Sequence, residues 1–218
     1  MIRIEHSGFE KDGFVYPPMK LEIPNYVRRI GIFGPNGSGK TTFFKIMQGL
    51  IDVEKRSMAF DDHRISLVDY IPQNFSVSNK FILTSDFILD TFRLSQIDPS
   101  MVETKDVHDL LNKKLSVLSG GEMKRLLFWL SKQKCSEVIL LDEILANLDP
   151  KNEKVIINGI SELSGPDVNR LLFLSSHNKS HLSSFSDWLI GFKDCEVKFS
   201  SGVEDFDSHN IFEELHEV

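Results

Sequence analysis

Gly34-Pro35-Asn36-Gly37-Ser38-Gly39-Lys40-Thr41 is the stretch that decides the fold of this chain, because it matches the pattern G-x-x-x-x-G-K-[ST] in full. The segment before it, Arg29–Phe33, has the composition of a short buried strand, and residues 41–50 after it carry apolar side chains at helical spacing. Strand, glycine-rich loop and helix therefore follow one another in the order that a phosphate-binding loop requires. An ordinary glycine-rich turn is the alternative, and this order disfavours it.

The residue types in this loop suit the binding of a nucleoside triphosphate. Glycines let successive backbone N–H groups converge on phosphates, and the helix that follows directs the positive end of its dipole at the same point. Lys40 can reach the β- and γ-phosphates, and the Thr41 hydroxyl can ligate Mg²⁺. Thr42 follows directly and is counted among the nucleotide-binding residues. The sequence thus predicts an ATP site at residues 34–42.

Two further apolar runs, at 138–141 and 171–174, read as strands of a parallel sheet, and each ends in polar residues. Open α/β sheets place ligands at the carboxyl ends of their strands. Asp142 is predicted to hold the Mg²⁺ shell, and Glu143 to act as the general base toward water. Acids at a helix N-terminus are the alternative for this pair. His177 is expected to contact the γ-phosphate, with a purely structural histidine as the alternative.

Composition limits the classes of function. The chain has 25 Lys+Arg against 32 Asp+Glu, a formal net charge of −7 and a pI near 5.5, so no nucleic-acid partner is expected. Two cysteines are too few for a disulfide framework. The longest apolar runs fall far short of the roughly 20 residues that cross a bilayer, and the N-terminus lacks the apolar region of a signal peptide. A cytoplasmic location is expected.

The chain is expected to form a single unit over residues 1–218. Helical patterns at 85–94 and 121–134 predict a mostly helical subdomain at about 74–134, inserted into an α/β core at about 1–73 and 135–218. Roughly the first 30 and last 30 residues, including 188–192 and 196–199, are expected to form short antiparallel strands.

Leu118-Ser119-Gly120-Gly121-Glu122 places a second glycine-bearing segment before a predicted helix, again suited to an anion. With this segment the chain resembles the nucleotide-binding subunit of an ABC transporter over essentially its whole length. The resemblance implies a P-loop NTPase (RecA-like) α/β core with a mostly parallel sheet, an antiparallel β region and an inserted helical subdomain. It also implies that residues 118–122 act as a signature on the ATP site of the opposite subunit.

The same resemblance assigns further site residues. Gln73 resembles the glutamine that contacts Mg²⁺ and water, and Asn147-Leu148-Asp149 resembles the D-loop. His177 resembles the switch histidine. Tyr16 resembles the aromatic residue that stacks on adenine, with Phe14 and Phe9 as rivals. Two positions depart from the family pattern: Ile144 where proline is usual, and Glu122 where glutamine is common.

The resemblance implies a dimer, homomeric or heteromeric, that hydrolyses ATP with Mg²⁺ and drives a separate transmembrane permease from the cytoplasmic face of the membrane. The alternative is a soluble ABC-type ATPase of a cytosolic assembly or maintenance complex. The short segment between Gln73 and Ser119 is closer to compact export-type subunits than to sugar importers. An exposed apolar groove for the permease is expected from the apolar residues after Gln73, which are Phe75, Phe81, Ile82, Phe87, Ile88, Leu89 and Phe92.

Overall fold

The computed structural model of the protein describes residues 1–75, 83–92, 107–134, 136–163, 170–206 and 211–216, with backbone only at positions 89, 92 and 216. The strands are β1 (Ile2–His6), β2 (Phe9–Lys11), β3 (Phe14–Tyr16), β4 (Met19–Ile23), β5 (Arg29–Phe33), β6 (Arg56–Phe60), β7 (His63–Arg64), β8 (Val68–Ile71), β9 (Val138–Asp142), β10 (Leu171–Ser175), β11 (Trp188–Lys193) and β12 (Glu196–Gly202). The helices are α1 (Lys40–Gln48), α2 (Thr84–Phe92), α3 (Gly120–Gln133), α4 (Pro150–Leu163), α5 (Lys179–Phe185) and α6 (Ile211–His216).

A six-stranded sheet forms the centre of the fold, in the order β12-β11-β5-β10-β9-β8. The strands from β11 to β8 run parallel, and β12 pairs antiparallel with β11. Every residue of β9 and β10 is buried, as expected for strands covered on both faces. The prediction of three buried parallel strands is confirmed, and their register places Ser175 beside Asp142 at the carboxyl edge.

The antiparallel region comes from the first third of the chain. β1 pairs antiparallel with both β4 and β6 in a four-stranded sheet, and β2 and β3 form a separate hairpin. The apolar side chains of α1 are buried in a cluster that also takes residues from both larger sheets. α1 therefore packs against both sheets, and this packing sets the position of the loop at its N-terminus.

The prediction of antiparallel strands near the C-terminus is correct for the pairing of β11 with β12, but it missed the parallel pairing of β11 with β5. β11 lies beside β5, with which it pairs in parallel, and it pairs antiparallel only with β12. The physical reason is the crossover: β10 leads through α5 into β11, and a helix between two strands of one sheet returns the chain in the parallel direction.

The part of the predicted helical insert that the structure describes contains α2, α3 and two short 3-10 turns, at His108–Leu110 and Leu115–Val117. Its apolar residues form their own cluster around Leu126 and Trp129. Arg125, 4% exposed, donates to both carboxylate oxygens of Asp109 at 2.9 Å and ties α3 to the first 3-10 turn. The division of the chain at positions 74 and 134 stays a prediction.

Two helices escaped the sequence analysis. α4 begins directly after Asp149, whose Oδ1 accepts from the N–H groups of Lys151 and Asn152, each at 3.0 Å. α5 begins after Asn178, whose side chain accepts from two backbone N–H groups. An aspartate followed by Pro150 is the usual sequence signal for a helix start, so α4 could have been found from the pair at 149 and 150.

One buried histidine gives the fold a pH dependence. His6 is 3% exposed; its Nδ1 accepts from the N–H of Gly8 at 3.1 Å, and its Nε2 has no hydrogen-bond partner within the described residues. Burial lowers the pKa of His6 from 6.5 to about 4. The folded protein resists protonation of this ring. The contribution of His6 to the free energy of unfolding is therefore fully present above pH 6.5 and is lost as the pH falls toward 4.

Replacement of the histidine by asparagine, His6→Asn, keeps an acceptor for Gly8 and removes the titrating ring. We expect the free energy of unfolding of the native protein to fall by about 2 kcal/mol more between pH 7 and pH 5 than that of the variant. Urea unfolding at both pH values measures this difference. His108→Asn, at an exposed histidine, is the control, and parallel pH profiles for native protein and His6→Asn would contradict the prediction.

Candidate active site

The phosphate loop, residues 34–41, connects the end of β5 with the first turn of α1. Gly39 caps α1 in a left-handed conformation with φ 99°. A Cβ at this position would lie 2.8 Å from the ring of Tyr16 and 3.1 Å from the Cα of Cys195. Gly34 is equally confined, because a Cβ there would meet the carbonyl oxygen of Phe192 at 2.1 Å. Glycine is therefore needed at both ends of the loop, for conformation and for space.

Lys40 closes over the loop. Its Nζ donates to the carbonyl oxygens of Gly34 at 2.8 Å and Pro35 at 2.9 Å. Burial lowers the pKa of this ammonium, and the nearby Glu143 and Asp142 carboxylates oppose the shift. The buried Oγ of Ser38 has no partner within the described part of the chain. The Lys40 ammonium and the unpaired Ser38 hydroxyl therefore both lie at the loop, and both are hydrogen-bond donors suited to a phosphate.

Asp142 is the buried acid at the carboxyl end of β9, with 1% of its surface exposed. Its Oδ2 accepts from the Thr41 hydroxyl at 2.8 Å and from the Tyr70 hydroxyl at 3.1 Å. Its Oδ1 accepts from the Ser175 hydroxyl at 2.7 Å. Three hydroxyl groups from three elements therefore surround one carboxylate, and two of its partners had not been assigned a role from the sequence.

Glu143 lies at the centre of a polar cluster. Gln73 donates through Nε2 to its Oε2 at 2.5 Å, and Nε2 of His177 lies 2.5 Å from its Oε1. The structure thus brings together residues that are distant in sequence: Gln73 lies 70 positions before Glu143, and His177 lies 34 positions after it. These are the three side chains for which the sequence predicted catalytic roles.

The backbone at Glu143 is strained and held. Glu143 has φ 47°, in the left-handed region that residues with a Cβ seldom occupy. Its N–H donates to the Ser175 hydroxyl at 2.9 Å, and Lys124 Nζ donates to its carbonyl oxygen at 2.9 Å and to that of Ala146 at 2.8 Å. Lys124, from α3, therefore stabilises the turn that presents Glu143. This role of Lys124 was not predicted from the sequence, because no local pattern indicates a contact with residues 143–146.

The signature segment forms the exposed start of α3. The Ser119 hydroxyl accepts from the Glu122 N–H at 3.2 Å, and the Glu122 carboxylate accepts from the Ser119 N–H at 2.9 Å, a complete capping box. Lys113 lies 2.6 Å from Glu122, and this hydrogen bond lowers the pKa of the Glu122 carboxyl. Glu122, which stands where glutamine is common in the family, thus adds a negative charge to the signature segment, and Lys113 pairs with it. Gly120 faces open space.

The predicted D-loop lies beside the signature segment. Asn147 has φ 56°, and Asp149 caps α4. A Cβ on Gly121 would meet the side-chain amide of Asn152 at 2.9 Å and the Asp149 carboxylate at 3.5 Å. The starts of α3 and α4 are therefore in close contact. Leu148 packs at the edge of the neighbouring apolar cluster.

The structure contradicts the assignment of Tyr16 as an adenine-stacking residue. Its ring is 1% exposed and its hydroxyl donates to the Gly39 carbonyl at 3.1 Å. A ring that is enclosed on both faces cannot stack on a base. Phe14, one of the two rivals, is 46% exposed and packs on Phe9 with ring centroids 6.0 Å apart. Phe14 is thus the most exposed aromatic side chain of this hairpin, and Phe9, the other rival, is half-buried. Which of the two stacks on adenine stays a prediction.

The donor set fits Mg²⁺. Thr41 and Asp142 offer a hydroxyl and a carboxylate within hydrogen-bond distance of each other, beside the phosphate loop. Mg²⁺ prefers such oxygen ligands and keeps several waters. Gln73, the third predicted ligand, is hydrogen-bonded to Glu143. Its place in the metal shell stays a prediction.

Comparison with known proteins identifies the family to which this chain belongs. The family model for "ABC transporter" matches residues 19–146, more than half of the chain. The chain belongs to the ABC transporter family. A solved structure described as an inward-facing metal-chelate type ABC transporter shares the fold, with a TM-score of 0.74 at 16% identity over 94% of this chain and 84% of that one.

Several curated relatives of this ABC protein are named for metal transport. A probable metal transport system ATP-binding protein of Chlamydia trachomatis is 34% identical over 62% of this chain and 64% of its own length. A manganese transport system ATP-binding protein of Bacillus subtilis is 26% identical, over 81% of this chain and 76% of its own. A zinc import ATP-binding protein of Rickettsia bellii is 29% identical, over 73% and 68%. This chain therefore spans slightly less than two thirds of the Chlamydia relative.

Removal of the exposed ring, Phe14→Ala, tests where adenine stacks. We expect the substitution to weaken ATP binding by roughly 1–3 kcal/mol, the contribution of a base stacked on an aromatic side chain. Val15→Ala, at the neighbouring 59% exposed position, is the matched control and should leave the affinity unchanged. Titration with a fluorescent ATP analogue measures all three proteins. Equal affinities would exclude Phe14 from the nucleotide site.

Proposed function

We propose that this chain is the ATP-binding subunit of an ABC transporter and hydrolyses ATP to drive a substrate through a separate transmembrane permease. One observation carries the proposal: the phosphate loop, the buried Asp142 and the cluster of Gln73, Glu143 and His177 meet at one edge of one sheet. Each group has a role in phosphoryl transfer to water.

The roles follow from position. Lys40 binds the β- and γ-phosphates once it leaves the loop carbonyls, and the backbone N–H groups of the loop bind the same oxygens. Glu143 accepts the proton of the attacking water, and Gln73 and His177 orient its two carboxylate oxygens. Thr41 and Asp142 would hold Mg²⁺, which neutralises phosphate charge when bound. The turn stabilised by Lys124 keeps Glu143 aimed at this point.

A second copy or a homologous subunit completes the site in this proposal. The N-terminus of α3 is exposed at Ser119 and Gly120, with N–H groups and a hydroxyl suited to an anion. Among the described residues, the signature segment makes no hydrogen bond or ion pair with the phosphate loop of the same chain. These observations support a dimer in which the signature segment of one subunit meets the ATP of the other.

A groove beside Gln73 is the proposed binding site of the permease. The groove has a volume of about 480 Å³ and is lined mainly by apolar side chains from the end of α1 and the residues after it, β8, the segment after β8, α2 and α3, among them Leu50, Tyr70, Pro72, Phe75 and Phe87. Phe75 and Phe87 pack together, with centroids 6.3 Å apart. Because Pro72 and Phe75 flank Gln73, an amphipathic helix of the permease in this groove would touch the segment that orients Glu143.

The expectation of a groove is met by only some of the predicted residues. Phe75 is 40% exposed and Phe87 is half-buried, whereas Ile88 is fully buried in the helical cluster. Phe81 and Ile82, and the side chains of Leu89 and Phe92, lie outside the described residues. The described residues contain no helix long and apolar enough to span a bilayer. In this proposal the permease holds the subunit at the cytoplasmic face of the membrane.

The proposed cargo is a metal ion or metal complex that is imported. The relatives' names, manganese transport and zinc import, support this choice. They also disfavour the leaning toward export that the short segment between Gln73 and Ser119 suggested. Transport of divalent ions by membranes that contain the subunit and its permease tests the cargo.

Glu143→Gln tests the hydrolytic role. The amide keeps the shape of the side chain and cannot take a proton, so we expect turnover to fall by about 10²–10⁴-fold while ATP binding persists. The variant should also accumulate as an ATP-bound dimer in size-exclusion chromatography. Glu54→Gln, at an exposed glutamate, is the control. Wild-type turnover in Glu143→Gln would remove Glu143 from the mechanism.

A pair of exposed leucines tests the groove. Leu50 lines the groove and is 63% exposed, whereas Leu67 is 55% exposed and is not among the lining residues. We expect Leu50→Glu to abolish co-purification with the permease and to leave basal ATPase activity within about twofold, because a charge in an apolar contact is costly. Leu67→Glu should retain both properties. Retention of the permease by Leu50→Glu would place the docking surface elsewhere.

A further inference from the structure

Tyr70 connects two sites that the family motifs treat separately. It lies in β8, three residues before Gln73, and its backbone is paired with Leu140 of β9. Its hydroxyl donates to Asp142 Oδ2 at 3.1 Å. Its ring forms part of the wall of the apolar groove. One side chain therefore reaches from the groove to the acid predicted to hold the metal shell.

The hydroxyl of Tyr70 is one of the three that stabilise the Asp142 carboxylate. An ionised carboxylate with 1% exposure depends on its donors, because no water replaces them. Burial and the charge of Asp142 raise the pKa of Tyr70 well above its usual value. The phenol donates its hydrogen bond to the Asp142 carboxylate.

The Tyr70 ring also contacts the helix that follows the phosphate loop. It packs edge-on against Phe44 of α1, with centroids 6.3 Å apart, and Phe44 is three residues after Thr41. Thr41 shares Asp142 Oδ2 with Tyr70. A displacement of the ring by an occupant of the groove would therefore move the hydroxyl relative to both metal-shell candidates.

We infer that Tyr70 is a positioning residue that orients Asp142 for Mg²⁺ and makes the metal site sensitive to the permease helix proposed to occupy the groove. The inference rests on the proposed ATPase function and extends it: Gln73 links the groove to Glu143, and Tyr70 links it to Asp142. Groups that orient a metal ligand through a hydrogen bond commonly change metal affinity or activity by 10–100-fold when removed.

The first test is Tyr70→Phe, which removes the hydroxyl and keeps the ring. We expect the Mg²⁺ concentration for half-maximal ATPase activity to rise about tenfold, whereas the affinity for ATP in EDTA stays unchanged. Tyr26→Phe, at a 69% exposed tyrosine, is the control. An unchanged Mg²⁺ requirement would overturn the inference, and so would an equal loss of affinity in EDTA, because that result indicates general damage.

Failure of the proposed function gives a different result. In that case the native protein does not hydrolyse ATP at any Mg²⁺ concentration, and the effect of Tyr70→Phe is read from the Mg²⁺ dependence of nucleotide binding instead. A protein that hydrolyses ATP normally, with the same Mg²⁺ requirement in native and Tyr70→Phe forms, would contradict only the role of Tyr70.

The second test fills the groove in the isolated subunit. Thr91 lines the groove from α2. The larger side chain in Thr91→Trp should therefore fill part of the groove and contact the other lining residues, Tyr70 among them. We expect this substitution to change the half-maximal Mg²⁺ concentration by about twofold or more in the native background and to have no effect in Tyr70→Phe. No change in the native background, or equal changes in both, would overturn the link between groove and metal site.

Discussion

The buried carboxylate of Asp142 is the constraint on which the active site depends. Three hydroxyl groups donate to it, from Thr41 at the start of α1, from Tyr70 in β8 and from Ser175 at the end of β10. A charge with almost no access to water is tolerated only when its oxygens are satisfied in this way. The phosphate loop, the edge strand and the neighbouring central strand are therefore held in register by one residue.

Glu143 shows how the same edge stores strain for function. Its left-handed backbone is unfavourable for a residue with a Cβ, and three contacts hold it: the Ser175 hydroxyl on its N–H, and Lys124 on two carbonyl oxygens of the turn. The side chain then points between Gln73 and His177. Because Lys124 belongs to the helix that begins with the signature segment, a movement of α3 would reach the turn at Glu143 directly.

Tyr16 illustrates the limit of motif analysis. Its distance in sequence from Lys40 suits an adenine-stacking residue, but the ring is buried against Gly39 and supports the phosphate loop from behind. Alternation places Phe14 and Tyr16, two residues apart, on the same face of the strand, yet Phe14 is exposed and Tyr16 is buried. The spacing of a motif locates a hairpin within a few residues, whereas only packing decides which ring is accessible.

The sequence by itself determined the features that depend on neighbouring residues: the strand, loop and helix around residues 34–41, the strands that end at Asp142 and Ser175, and the helix that follows the glycines at 120 and 121. Local backbone conformation and apolar spacing are sufficient for these. Only the tertiary structure decided that Gln73, Glu143 and His177 converge, that Tyr70 and Lys124 hold the acids, and that β11 is parallel to β5. Such contacts depend on strand order and helix packing between distant segments, which no local pattern encodes.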